Sequence, residues 1–542
     1  MKKRLIYMLA LTTLLFSACS ESFLDSEPTT SLTDGNFYKT KKDAELAIVG
    51  CYDGVQAIYN NGIAFPVLSE VVSDNCFGGT GNTDGLNYRM LDQFDLQVSP
   101  GDVDALNNNW IAYYKSIYRC NVLLQKMDQI DWEDDTDYRN EIEAQARFLR
   151  AFAYFDMVRL WERVPLLTEP SDENIPQSPA DSTYTVITKD LMFAAENGAE
   201  SVEPGRVNKW AAKALLGRVY LYYTGYYAKS DLVGLVSKSE ALQGLEDIVS
   251  SVGTTGYGLV PEYKNLWPAA AATVNDDMTG IETTYAGKDN METLFAVKYN
   301  ITSNYDGDTD GNHWLVMLGA RGQHFTPYGK GWGACTVLPS LYQAYETDDT
   351  RKVASVIAFS EEGLDFDNSD QREYTGYTNK KYTPMSTYVL DTETGEYVVK
   401  DVAEANGAVN FQIGQFQDYV VMRYADVLLM AAELGSSNAQ SYFDQVRERA
   451  GLTSKAVSKE NIMTERRFEF AFEGLRYWDL MRQGGSVAAS TIAVSTTVQD
   501  GGVDFQKVIS ASDITSKRGL MLIPQTQISL SAGVLTQNDG WN

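Results

Sequence analysis

At 542 residues, with 44% hydrophobic and 22% charged side chains, the chain can bury a large core and is not a disordered polypeptide. Its 45 basic residues face 73 acidic ones, a net charge of -28 at pH 7, so it lacks the basic footprint that displaces counterions from nucleic acid. Two histidines, His313 and His324, leave almost no material for a His-dependent triad or a three-His zinc site, whereas 33 Tyr, 21 Phe and 9 Trp supply amphipathic contact surface as well as core.

Residues 1–18 read as an export leader. Lys2, Lys3 and Arg4 form a basic start, residues 5–16 are apolar, and the small Ser17 and Ala18 stand directly before Cys19. The run Leu15-Phe16-Ser17-Ala18-Cys19 resembles a bacterial lipobox, whose cleavage leaves the cysteine as the lipid-modified first residue, here Cys19. No later segment holds roughly 18 uninterrupted apolar residues, which predicts a body outside the bilayer. Cys51, Cys76, Cys120 and Cys335 lie far apart with no CxxC pair, which argues against zinc-knuckle and thioredoxin sites. An exported chain could pair them in any of three ways, but Cys51 and Cys120 fall in helical patterns, and buried free thiols are expected.

The body reads as helical. Over 141–161, Phe148, Phe152, Phe155 and Val158 mark one face of an amphipathic helix that ends before Pro165. Segments 208–223 and 423–434 carry the same period. Laid over one another, the three place Ala151, Gly217 and Ala431 in register, followed three residues on by Tyr154, Tyr220 and Leu434. A small residue that lets a partner helix approach, then a large one that fills the gap, is the device of tetratricopeptide helices, here at irregular spacing. From 253 to 410 the helical period is lost and Gly, Asp, Asn, Thr and Tyr dominate, so this stretch should hold its own strands and turns. A strand is predicted over 290–300 and a hairpin over 380–400, turning at 392–395. Helices return near Val421, and 465–482 reads as one strong helix with Gly474 inside it, packed closely by a neighbour.

Specific residues over most of the chain carry a family resemblance. They are Phe23-Leu24-Asp25 after Cys19, Trp110 with Asn121, Ala146-Arg147-Phe148-Leu149-Arg150-Ala151 running on to Val164-Pro165-Leu166, and Arg423-Tyr424-Ala425-Asp426. Then come Arg447-Glu448-Arg449-Ala450-Gly451, Glu465-Arg466-Arg467, Glu473-Gly474-Leu475-Arg476-Tyr477-Trp478-Asp479, Ile523-Pro524-Gln525 and Gln537-Asn538. In this order the sequence resembles the SusD/RagB family of Bacteroidetes surface lipoproteins. The resemblance implies a mostly α fold, a tetratricopeptide-like α-α superhelix with a loop-rich, partly β insertion forming the ligand face. The expected parts are the signal peptide 1–18, helical parts 19–252 and 411–542, and the insertion 253–410. It also implies a lipid-anchored, outward-facing outer-membrane protein that binds oligosaccharide, without enzymatic activity or cofactor, and delivers it to a SusC-like TonB-dependent transporter. A peptide ligand, or a transporter lid without ligand selectivity of its own, are the alternatives.

The charged residues Arg147, Arg150, Arg423, Asp426, Glu433, Glu465, Arg466, Arg467, Glu469, Glu473, Arg476 and Asp479 read as buried ion pairs and helix caps, not an acid/base pair for glycoside hydrolysis. The run Asp306, Asp308, Asp310 and Gly311 opens like an EF-hand loop, but position 12 is Met317 instead of Glu, so a solvated turn is expected and no metal site. Sugar rings pack their C–H faces on aromatic rings and pair their hydroxyls with Asp, Asn, Gln and Arg. Two segments have that composition, in regions where the family's ligand contacts tend to lie. Residues 73–89 offer Asp74, Phe77, Asp84, Asn87 and Tyr88, and residues 304–332 offer Tyr305, Asn312, His313, Trp314, Arg321, Tyr328 and Trp332. Trp314 could equally belong to a buried strand over 314–318.

Overall fold

A computed structural model describes residues 37–541; the leader and Cys19 lie outside the described residues. Helices lead the N-terminal half: α1 (Lys41–Ile58), the short α2 (Leu86–Asp92), α3 (Asn107–Lys126), α4 (Thr136–Trp161), α5 (Ala180–Asn197), α6 (Lys209–Tyr226) and α7 (Lys238–Ser250). Polar side chains set the starts of four of them. Thr40 and Asp43 form a capping box at α1, Ser237 and Glu240 another at α7, while Asp135 and Asn208 cap α4 and α6. The long helices then pack in succession, α1 on α3, α3 on α4, α4 on α5, α5 on α6 and α6 on α7, a tetratricopeptide-like scaffold. The small-residue device operates where it can be read: a Cβ on Gly217 would stand 3.0 Å from Leu245 of α7, and Ala151, Tyr154 and Tyr220 are buried.

The irregular stretch supplies short strands that pair with the flanking parts as well as with each other. β1 (Cys76–Gly79) precedes α2. In the insertion come β2 (Thr293–Val297), α8 (His313–Leu318), β3 (Ala320–Arg321), β4 (Lys330–Gly331), β5 (Ala334–Val337), β6 (Ser386–Leu390) and β7 (Tyr397–Asp401), and β8 (Tyr419–Arg423) follows it. β1 runs antiparallel to β5 with Phe77 opposite Thr336, and β2 antiparallel to β8 with Val297 opposite Tyr419. The β6–β7 hairpin turns between Asp391 and Glu396. Segment 314–318, a candidate strand by sequence, is instead the short helix α8, because the buried Asn312 side chain accepts the Leu315 N–H and starts a helical turn.

The C-terminal helices α9 (Tyr424–Glu433), α10 (Ala439–Arg449), α11 (Lys459–Glu469) and α12 (Arg476–Met481) continue the stack, with α9 packed on α7. The single helix expected over 465–482 is two. Phe472 and Gly474 take left-handed conformations, φ 67° and 73°, and a Cβ on Gly474 would stand 2.9 Å from Pro66 Cα, so the glycine makes a corner that a helix would not pass. Buried arginines tie this region together and to the insertion. Arg423 bonds Glu292, Glu469 and Glu473; Arg351 bonds Asp349, Glu465 and Glu469; Arg466 bonds Asp426 and Asp479. One hydrophobic core, from Ala44 to Trp541, runs through all three parts.

Candidate ligand-binding site

The loop after β1 is shaped from outside itself. Thr80 takes φ 75°, its N–H donating to Gly333 O (2.8 Å) and its carbonyl accepting from Arg372 N (2.9 Å). The Arg372 guanidinium, from the insertion, donates to Thr80 Oγ1 (3.0 Å), Asp84 O (2.7 Å) and Asn82 O (2.9 Å). Gln371 Nε2 reaches Thr80 O and Gly333 O at 3.1 and 2.9 Å. Loop carbonyls that would otherwise be unsatisfied are thereby occupied, and the loop is held in one shape.

Arg321 closes the wall. Its Nη2 donates to Asp84 Oδ2 and its Nε to Asp370 Oδ2, each at 2.9 Å, and Nη1 lies 3.4 Å from Trp332 O. The guanidinium lies against Gly81, where a Cβ would fall 2.1 Å from Nη2, so a larger residue there would displace it. Gly85 (φ 59°) then turns the chain into α2.

Between these parts lies a cavity of about 430 Å³, within the size range of small-ligand sites. Its floor is apolar: Ile63, Met317 and the Tyr88 ring. Its rim is polar: Asn61, Asp84, Asn87, Asn108, Asn109 and Arg321. The half-buried Trp332 indole forms one side, held edge-on by His313 with ring centroids 5.6 Å apart. His313 Nδ1 is fixed 2.9 Å from Gln412 O. Asn109 is committed to Ile63 O at 3.0 Å, and the Tyr88 hydroxyl is buried without a partner, its phenol pushed well above its usual range by burial. The arrangement offers an aromatic face beside amide, carboxylate and guanidinium groups, which suits a polyhydroxylated ring. A larger groove of about 580 Å³ lies beyond Trp110 and Tyr118 of α3. There Gln527 is taken by Asn107 and Arg119 by Asp53, leaving a mostly apolar trough with less to orient a polar ligand.

Of the sequence-predicted contacts, the structure brings Asp84, Asn87, Tyr88, His313, Arg321 and Trp332 to this cavity from segments more than 200 residues apart. Four others are corrected by burial. Trp314 is fully buried against Tyr382 and Tyr419. Phe77 is core, Asn312 is spent capping α8, and Asp74 is held by Arg476 (2.7 Å) and Arg467 (3.0 Å). Tyr328 belongs to a satellite cluster with Phe325 and Phe359, its hydroxyl on Glu362 at 2.9 Å, and Tyr305 is exposed away from the cavity. In the turn at 306–310, Asp308 and Asp310 bond Asn304 and Thr302, and no group of three metal-ligating side chains occurs among the described residues. Sequence reasoning missed Asn61, Asn108 and Asn109; the run Asn107-Asn108-Asn109 opening α3 was the available signal.

Two family models match. One described as "SusD family" covers residues 291–541, and one described as "Starch-binding associating with outer membrane" covers residues 22–221. A "SusD-like protein" of Bacteroides ovatus is 26% identical over 514 residues, 89% of this chain and 82% of its own. "SusD-like protein P2" of Formosa agariphila is 27% identical over 510 residues, 89% of this chain and 90% of its own. Among solved structures, a "Laminarin binding SusD-like protein" is 26% identical with a TM-score of 0.69, covering 93% of this chain and 100% of that one. Surface glycan-binding protein A from Bacteroides thetaiotaomicron, solved in complex with laminarihexaose, shares the fold at a TM-score of 0.69 and 23% identity, covering 92% of this chain and 100% of that one.

Proposed function

Since this chain belongs to the SusD family, we propose that it is a surface lipoprotein anchored to the outer membrane through Cys19, which binds an oligosaccharide against Trp332 and delivers it to a SusC-like TonB-dependent transporter. The observation that carries this reading is the convergence of an available indole face with Asp84, Arg321 and the Asn87 and Asn108 amides around one cavity. Those amides have no partner among the described residues, so a ligand hydroxyl costs them no existing bond. Similarity to the solved laminarin binding SusD-like protein makes laminarin oligosaccharides the first ligands to test. The reading is of binding without cleavage: Asp84 and Asp370, which flank Arg321, are both paired to it and not poised as an acid and a base. Among the described residues no helix is long and apolar enough to cross a membrane, which fits attachment by a lipid.

The test is calorimetric titration of residues 20–542 with laminarin oligosaccharides, other plant, host and microbial glycans, and mixed peptides. Saturable heat with one glycan class, lost in Trp332→Ala, is the expected result. Heat from peptides alone would replace the ligand class, and silence across the whole panel would leave the protein a transporter lid.

A further inference from the structure

The four cysteines of the described chain stand in two facing pairs. α1 and α3 approach at Gly54, where a Cβ would lie 3.2 Å from Ser116 Cα, and Arg119 Nη1 donates to Gly50 O at 2.8 Å. One turn along each helix from that contact, Cys51 and Cys120 are neighbours, both fully buried. The second pair bridges β1 and β5. The register sets Cys76 opposite Val337 and Phe77 opposite Thr336, so Cys335 is diagonal to Cys76. Cys335 takes φ 57°, which breaks the strand alternation, and its thiol is within reach of the Cys76 thiol. All four stand as thiols in the structure.

We propose that Cys51–Cys120 and Cys76–Cys335 are disulfides in the exported protein. The inference rests on the export reading, because disulfides persist in oxidising compartments. In each pair the two cysteines come from adjoining elements, helices α1 and α3 or strands β1 and β5, and stand as neighbours, which is the proximity a disulfide needs. Their placement gives the cross-links a role. Cys76 begins β1, which leads into the glycine-rich loop, and Cys335 lies three residues after Trp332, so that bond joins two walls of the cavity covalently. Cys51–Cys120 joins the first two long helices of the scaffold.

The oxidant is a disulfide donor. One cysteine thiolate attacks the donor's S–S bond, forming a mixed disulfide and releasing one donor thiol. The facing thiolate then attacks the cysteine sulfur of that mixed disulfide and expels the second donor thiol. Each pair loses two electrons and two protons, and the donor is reduced to two thiols. In the folded chain these sulfurs are closed to solvent; the neighbouring Cys120 thiol, together with burial, pushes the Cys51 thiol up, and burial pushes the Cys76 thiol up, so the exchange belongs to folding, before the core closes.

The test is a peptide map of the full chain, expressed with its leader, extracted from membranes in denaturant with iodoacetamide and digested without reductant. Linked 51–120 and 76–335 peptides, with no alkylation at any of the four, are expected. Cys51→Ser should free Cys120 for alkylation and leave 76–335 linked. Alkylation of all four, or any other pairing, overturns the proposal. If the chain is recovered in the cytoplasmic fraction, the anchoring reading fails; the same map is then read after the denatured chain refolds with glutathione disulfide, and free thiols there overturn the pairing on its own ground.

Discussion

Gly81→Ala isolates the site wall from the fold. The new methyl would stand 2.1 Å from Arg321 Nη2 and 2.4 Å from Cζ, against the roughly 3.5–4 Å of an ordinary contact, so the guanidinium must retreat by more than about 1 Å. It then leaves Asp84 and Asp370, whose side chains are 54% and 57% exposed, and exposed pairs of this kind contribute about 0.2–1 kcal/mol each. Gly81 does not have a positive φ, so alanine adopts its backbone, and the smaller entropy of the unfolded chain returns about 0.4–1 kcal/mol. Global stability should therefore stay within about 1 kcal/mol of the parent. Ligand affinity should fall by about tenfold or more, about 1.4 kcal/mol, because the displaced arginine disturbs both loop and cavity. Urea unfolding and calorimetric titration with the glycan that binds the parent measure the two separately. An unchanged Kd in a folded Gly81→Ala protein would refute the assignment of this wall to the ligand site.

The two tryptophans should separate in the same way. Trp314→Ala removes a fully buried ring and should cost about 3–5 kcal/mol in equilibrium unfolding, whereas Trp332→Ala, half-buried, should cost less than about 2 kcal/mol and abolish glycan heat. Gly474→Ala meets both a left-handed φ, worth about 1–2 kcal/mol, and Pro66 Cα at 2.9 Å, so its melting midpoint should fall well below that of Gly81→Ala. Burial pushes Glu70 from 4.5 up to about 7, and burial with the nearby Glu373 pushes Asp92 from 3.8 up to about 7. Groups raised on folding stabilise fully below their unfolded values, and that stabilisation is lost as pH rises through about 7, so the melting midpoint should drop between pH 5 and pH 8. Glu70→Gln should remove part of that drop and leave the share due to Asp92. Cys19→Ser should move the chain from the membrane to the soluble fraction, read by immunoblot after fractionation.

The scaffold was legible because its signals are local. Helical periodicity over 141–161 and 208–223, a small residue at Gly217 and caps such as Asn208 each state their structure within a few residues. The break at 470–475 was not legible. Phe468, Phe472 and Leu475 keep a helical spacing through it, and what decides the corner is Pro66, some 400 residues earlier in the chain. The site divides along the same line. Composition located the two segments that line the cavity, since loops with aromatic and hydrogen-bonding residues are compositionally distinct. It could not tell Trp332 from Trp314, because a tryptophan's exposure is set by what packs against it, here Tyr382 from late in the insertion and Tyr419 from the strand that follows it.

The same long-range logic explains why guanidinium groups recur wherever this fold joins distant segments. Arg423 joins Glu292 of the insertion to Glu469 and Glu473 of the C-terminal helices, and Arg372 joins the insertion to the loop after β1. A planar group with five donors can satisfy several acceptors at once in a fixed geometry. That matters at junctions where irregular backbone leaves carbonyls and carboxylates without regular partners. The depressed carboxyl ranges of Asp426 and Glu469, held down by Arg466, Arg218, Arg449 and Arg423 against the opposing cost of burial, show those acceptors remaining charged inside the core. Arg372 applies to the ligand loop the device that Arg423 applies to the core: a rigid cation placed at a seam specifies one arrangement of segments whose own backbone conformations would permit several.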